Sequence, residues 1–231
     1  MAERSTPRIS SRKRPKQARS TELVSAILEA AVQVLEEEGA QRFTTARVAE
    51  KAGVSVGSLY QYFPNKAAIL FRLQSDEWRQ TTSMMQSILE DQDQPPLDRL
   101  RALVHGFIRS ECEEAAVRIA LNDAAPLYRD AEEARQERAS IDSTFNTFIA
   151  RLLPTAGEET CALVSDLVLT TLSTVGKEFS GKPRSSMEIE TYAGAVADMF
   201  CAYLTSASFG PIATRSGISS PNRASDCGWN L

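Results

Sequence analysis

The chain has 231 residues, 42% hydrophobic and 24% charged, enough for one large or two small domains with a real core. No run approaches the ~20 apolar residues of a membrane span, and no apolar stretch follows the basic N-terminus as a signal peptide requires, so a cytoplasmic protein is expected. Cys112, Cys161, Cys201 and Cys227 are scattered without a CxxC unit, and His105 is the single histidine; this argues against a dense disulfide framework, a His-based metal site and a His-dependent catalytic triad, and neither a cofactor nor an enzymatic activity is expected.

The net charge of −4 hides a polarity. Residues 1–66 carry eleven Lys/Arg against seven acids, a net +4, which leaves −8 for the remainder. A basic front on an acidic body suits a protein that presents one end to a polyanion; a solvated basic tail is the plainer alternative.

Residues 1–19, rich in Arg, Lys, Ser and Pro, lack a packing pattern and are expected to be a disordered basic arm. Its Arg12, Lys13, Arg14, Lys16 and Arg19 suit phosphate or minor-groove contacts, which add salt-dependent affinity with little sequence preference. A first helix follows, capped at Ser20 or Thr21. Leu23, Val24, Ile27, Leu28, Ala31, Val34 and Leu35 recur at three- and four-residue spacing, and Gly39 supplies the stop.

Two short helical patterns joined by a tight turn occupy residues 43–63. The first, about Thr45 to Ala52, turns Val48 and Ala49 inward. Gly53 fits a helix C′ position at φ > 0. Val54 points inward and Ser55 caps the second pattern, about Val56 to Phe63, which buries Leu59 and Phe63. Pro64 limits it, and Asn65 caps a longer helix from Lys66. This is a helix-turn-helix, and its second helix is the candidate for the DNA major groove.

The longer helix carries Ile69, Leu70, Leu73 and Trp78 toward Met84, Met85, Ile88 and Leu89, and fades at the polar, proline-bearing Asp91 to Pro96. It reads as a connector between head and body. The body is helical too. Leu97, Leu100, Leu103, Val104, Phe107 and Ile108 make one amphipathic face. Further helices are expected at about 115–125, 132–153, 158–179 and 187–204. The apolar stripes of the last two are wider than one face needs, which suits a four-helix bundle across a two-fold axis; a central place in a monomeric core is the alternative. Residues 205–231 turn to Ser, Gly, Pro and Asn and read as a flexible tail.

The run Thr44-Thr45-Ala46-Arg47-Val48-Ala49-Glu50-Lys51-Ala52-Gly53-Val54-Ser55-Val56-Gly57-Ser58-Leu59-Tyr60-Gln61-Tyr62-Phe63-Pro64-Asn65-Lys66 resembles the TetR family of bacterial transcriptional regulators. The resemblance extends over about Ser20 to Trp78. It departs at Ala67, where an acid often follows the lysine. It implies an all-α fold: a helix-turn-helix head (20–78), a connector helix, and a helical effector-binding and dimerisation domain (79–204). It also implies a homodimer, a double-stranded DNA operator and a small-molecule effector, with no membrane partner.

Within the head, Thr45 resembles the family's phosphate-contacting threonine, with Thr44 the better cap. Backbone N–H groups around Val56, Gly57 and Ser58 open a helix N-terminus, which attracts phosphate, and Gly57 lets DNA approach closely. The resemblance implies phosphate and base-edge contacts for Tyr60 and Tyr62; packing against the connector is the alternative. Gln61 has an amide able to pair with adenine, and Val56 suits a thymine methyl. Lys66 resembles the family's phosphate anchor. Trp78, Met84, Met85, Phe107, Phe145 and Phe148 are candidate linings of an effector pocket, although side chains of this kind more often belong to an ordinary core. A helical protein-interaction module that uses the same helix-turn-helix on another protein is the competing class, and the basic arm argues against it.

Overall fold

The computed structural model describes Ile9 and residues 18–128 and 132–207. Every regular element among them is helical: α1 (Ala18–Arg42), α2 (Thr45–Lys51), α3 (Val56–Tyr62), α4 (Lys66–Leu89), α5 (Pro96–Glu113), α6 (Ala115–Ala124) with a 3-10 turn at Ala125–Leu127, α7 (Glu132–Leu152), α8 (Glu158–Ser180) and α9 (Ser186–Ala207). The all-α expectation therefore holds. No helix among the described residues is long and apolar enough to cross a membrane. The arm's Arg12, Lys13, Arg14 and Lys16, the side chain of Arg19, and the tail from Ser208 with Cys227 and Trp229 lie outside the described residues.

The chain divides into two compact units. One takes Met1–Arg79 and Ala116–Glu137, the other Gln80–Ala115 and Arg138–Leu231. In the first, Ile27, Ala31, Val34 and Leu35 of α1 are buried with Val48, Leu59, Phe63, Ile69 and Leu70, the positions that the helical spacing selects, and with Phe43 from the link between α1 and α2. α1 begins at Ala18, so Ser20 and Thr21 sit inside the helix instead of capping it. Gly39 breaks the helical backbone at φ 71, ψ 172, and one further turn then carries the chain to Arg42. A side chain is disfavoured in that left-handed region, which explains why glycine stands there.

The same unit holds a buried polar cluster. Arg118 of α6 pairs with Glu77 of α4 at 2.7 Å, their side chains only 6% and 11% exposed. Gln74 Nε2 donates to the other Glu77 oxygen at 2.8 Å. The Tyr128 hydroxyl donates to the Leu121 carbonyl at 2.9 Å and reaches Gln74 Oε1 at 3.3 Å. Burial, with the Glu77 charge, pushes the Tyr128 phenol well above its usual range, so it remains a neutral donor. The Tyr128 ring meets Phe71 at 5.8 Å between centroids. These bonds explain why most of α6 joins α4 in one unit although the helices are far apart in sequence.

In the second unit, α5 is the central element and packs against both α8 and α9. Its Leu100, Leu103, Val104, Phe107 and Ile108 are buried, as their stripe predicts. Gly176 of α8 permits the close approach of α5: a Cβ there would meet Phe107 Cε1 at 2.9 Å and Glu111 Cγ at 3.2 Å. Gly176→Ala is therefore expected to cost about 1–3 kcal/mol through overpacking, read as a lower urea midpoint at unchanged slope. The same substitution at an open helical glycine, Gly194, with nothing within 4 Å, is the control.

Ser185 and Glu188 form a reciprocal capping box at the start of α9, Ser185 N donating to Glu188 Oε2 at 2.8 Å and Glu188 N to Ser185 Oγ at 3.3 Å. Phe179 and Tyr192 stack at 4.0 Å, with the Arg184 guanidinium 4.4 Å from the Phe179 ring. His105 and Arg109 of α5 both hold Glu190 of α9, His105 Nδ1 at 2.9 Å. α9 continues to Ala207, past the expected stop at Leu204, with Thr205 Oγ1 donating back to the Cys201 carbonyl at 2.8 Å. On α8 Leu163 and Leu167 are about half exposed, as is Met199 on α9.

Candidate nucleic-acid interface

The turn between α2 and α3 is specified bond by bond. Thr44 adopts extended backbone and its hydroxyl accepts from Arg47 N at 3.3 Å, so it caps α2. At the other end Gly53 sits at φ 66. Val54 N donates to the Ala49 carbonyl at 2.9 Å and Gly53 N to the Glu50 carbonyl at 3.1 Å. Those two bonds form a Schellman motif, which satisfies carbonyls that the helix end leaves open. Val54 follows that turn and is half-buried, so its expected place in the core is only partly realised.

Ser55 then caps α3, its Oγ accepting from Ser58 N at 3.0 Å. Leu59 and Phe63 are buried and hold α3 down, while Val56, Gly57, Tyr60 and Gln61 are exposed and Ser58 and Tyr62 half-buried. Val56 is 40% exposed and Tyr60 39%, large for side chains of their hydrophobicity. Asn65 Oδ1 accepts from Ala68 N at 2.9 Å and caps α4, whose first residue, Lys66, is exposed.

The Thr45 and Tyr60 hydroxyls lie 3.0 Å apart in a hydrogen bond that links the first turn of α2 to α3. Tyr60 thus points at α2, not at the connector. The sequence offers no signal for this pair, because the residues stand on different helices and only the angle of the turn brings them together. A Cβ at Gly57 would find a single neighbour, Ser55 Oγ at 3.8 Å. Glycine is therefore not demanded there by the protein's own packing.

Charge is distributed less openly than the sequence implies. Lys51 Nζ contacts both carboxylate oxygens of Glu37, at 2.7 and 2.9 Å. Arg47 is paired with Glu38, which also receives Arg42 at 3.7 Å. Lys66 has no ion pair among the described residues. Beside the paired Arg47 and Lys51, Lys66 at the head of α4 is thus left open to an external anion.

The six candidate pocket residues do not come together in one unit. Trp78 belongs to the first and is buried. In the second, Met85, Phe107, Phe145 and Phe148 are buried and Met84 is half-buried, its Sδ 3.3 Å from where a Cβ of Gly106 would stand. Phe145 and Phe148 meet at 5.9 Å between centroids. Phe148 also lines a groove of about 170 Å³ with Leu89, Glu90, Ser143, Thr144, Thr147 and Arg151.

Comparison with known proteins matches this geometry. Residues 27–73 match the model of bacterial regulatory proteins of the tetR family, and residues 95–207 match that of the tetracyclin repressor-like C-terminal domain. The HTH-type transcriptional regulator BetI of Stenotrophomonas maltophilia is 31% identical over 132 residues, 55% of this chain and 67% of that protein. The nucleoid occlusion factor SlmA of Vibrio campbellii is 39% identical over 80 residues, 34% of this chain and 40% of that protein. The fold is similar to that of the transcriptional regulator FadR from Bacillus subtilis, solved in complex with stearoyl-CoA: TM-score 0.59, 17% identity, covering 76% of this chain and 96% of that one. With a head and a body that match the two halves of one family, and a relative aligned over two thirds of its length, the chain belongs to the TetR family of bacterial regulators and is a DNA-binding transcriptional regulator.

Proposed function

We propose that two copies of the chain bind a pseudo-palindromic operator, each placing α3 in a major groove, with half-sites about one turn (~34–36 Å) apart or slightly more. Residues 20–78 form the DNA-binding head in this reading, and 79–204 the effector-binding and dimerisation body. The observation that carries it is the surface of α3. Val56, Gly57, Tyr60 and Gln61 are exposed together on a helix whose opposite side is anchored by Leu59 and Phe63. Thr45, Ser58, Tyr62 and Lys66 flank them. The α3 N-terminus, Thr45, Tyr60, Tyr62 and Lys66 take phosphate; Gln61 and Val56 take base edges.

Gly57 sharpens the proposal. Gly57→Ala meets nothing closer than Ser55 Oγ at 3.8 Å within the protein. Its thermal midpoint is expected to be unchanged or raised, since alanine favours a helix over glycine by about 1 kcal/mol. Its operator affinity is expected to fall by about tenfold, because the methyl group occupies the space through which the backbone meets DNA. Equal affinity in a gel-shift titration would remove Gly57 from the interface. Selection of bound sequences from random duplexes tests the function as a whole: an enriched near-palindrome supports it, and no enrichment defeats it.

Dimerisation through α8 and α9 is supported by Leu163, Leu167 and Met199, which are left half-exposed among the described residues. Effector binding belongs to the second unit, around Met84, Met85, Phe107, Phe145 and Phe148. Binding there lowers operator affinity by favouring a body conformation in which the two heads no longer match the half-sites.

A further inference from the structure

The acids at the end of α1 sit on the cations of α2. Glu37 and Glu38 directly precede the Gly39 break, and each engages a basic residue of the helix-turn-helix: Glu37 holds Lys51 through both carboxylate oxygens, and Glu38 holds Arg47. Arg47 lies in the first turn of α2, two residues after Thr45, and its guanidinium also donates to the Arg42 carbonyl at 3.4 Å. None of the four side chains is buried: Arg47 is 38% exposed, Lys51 36%, Glu37 58% and Glu38 26%. Surface pairs of this kind add little to folding stability. Their larger effect is on the field that the head presents to a polyanion.

We propose that Glu37 and Glu38 act as an internal substitute for DNA phosphate, masking Arg47 and Lys51 and so lowering sequence-independent affinity in favour of reading by α3. The physical basis is counterion release. A cation contributes to salt-dependent DNA binding by displacing ions condensed on phosphate, about 0.9 in the log–log salt slope for each phosphate neutralised. A lysine or arginine already neutralised by a carboxylate gains less from phosphate, since it exchanges one anion for another and strands the carboxylate near the DNA. The head therefore approaches a random duplex with fewer available cations than its sequence carries. Discrimination improves because the suppressed contribution is common to all sequences, whereas base-edge contacts are not. The inference rests on the DNA-binding reading given above.

The test compares salt slopes for a random duplex and for a selected operator in the full-length chain. In Glu37→Gln with Glu38→Gln, the random-duplex slope is expected to steepen by up to about 1.8 per head, equivalent to about tenfold more affinity lost per head between about 50 and about 200 mM salt. Its low-salt affinity for random DNA is expected to rise, and the ratio of specific to random binding to fall. In Arg47→Gln with Lys51→Gln, the slope is expected to match that of the unmodified protein, because those cations are already masked. An unchanged slope in the first pair, or a slope shallower by about 1.8 per head in the second, would overturn the proposal. Both pairs alter side chains that are exposed or half-buried, and matching thermal midpoints establish that a slope change comes from charge and not from unfolding. Failure of the unmodified protein to bind any duplex would overturn the functional reading together with this one, an outcome distinct from either slope result.

Discussion

The double variant Tyr62→Ala with Lys66→Ala is expected to abolish the operator footprint while the protein remains folded and dimeric. Lys66 is exposed at the head of α4 without an ion pair among the described residues, and Tyr62 is half-buried in the last turn of α3. Loss of a charge-assisted phosphate contact and of a hydroxyl contact costs about 3 kcal/mol per head, or about a hundredfold, and a dimer suffers it twice. Lys66→Ala alone should weaken random and specific duplexes alike and reduce the salt slope by about 1 per head. Tyr62→Phe separates the hydroxyl from the ring. Folding should be insensitive to these changes, since Leu59 and Phe63 hold α3 in place. A retained footprint in the double variant, with size-exclusion behaviour unchanged, would refute the assignment of the reading surface.

The second large effect concerns stability. Arg118→Met removes the guanidinium that faces Glu77 at 2.7 Å and leaves a nearly buried carboxylate short of counter-charge. The expected loss is about 3–5 kcal/mol, seen in urea unfolding followed by circular dichroism. Pairing it with Glu77→Leu should recover most of that loss, because an apolar pair of similar volume pays no desolvation cost for a charge. A double variant as unstable as the single one would mean that the cluster acts through geometry that Met and Leu do not reproduce. Gln74 and Tyr128 extend from the same pair, so their substitutions are not expected to add independently.

The head was legible to a fine degree. Thr44 and Ser55 cap their helices as their residue types predict, Gly53 takes the positive φ that its position implies, and Asn65 caps α4. Each of these depends on neighbours within a few residues, where local hydrogen bonding and backbone preference dominate. The misjudged points are also local. Ser20 and Thr21 can cap a helix, but the helix can equally absorb them, and it begins at Ala18. Thr205 looked like tail, yet its hydroxyl returns to the Cys201 carbonyl and the last turn continues.

The longer-range features follow a different logic. Counting charges gave the first 66 residues a net +4, but the count cannot say which cations are spent. Arg47 and Lys51 are matched to Glu38 and Glu37 because α1 and α2 pack against each other. The Thr45–Tyr60 bond, the Glu77–Arg118 pair and the Phe107–Gly176 approach join residues from different helices, and no periodicity predicts them.

The sequence by itself determined the helical class, the helix-turn-helix with its caps and glycine turn, and the family, because spacing, capping chemistry and left-handed glycine act over a few residues. The tertiary structure alone decided which cations stay available on the head, which polar groups are buried between α4 and α6, and which apolar side chains of α8 and α9 remain uncovered. Those outcomes depend on the angles at which helices meet, and such angles are set by the packing of whole faces, not by any one segment.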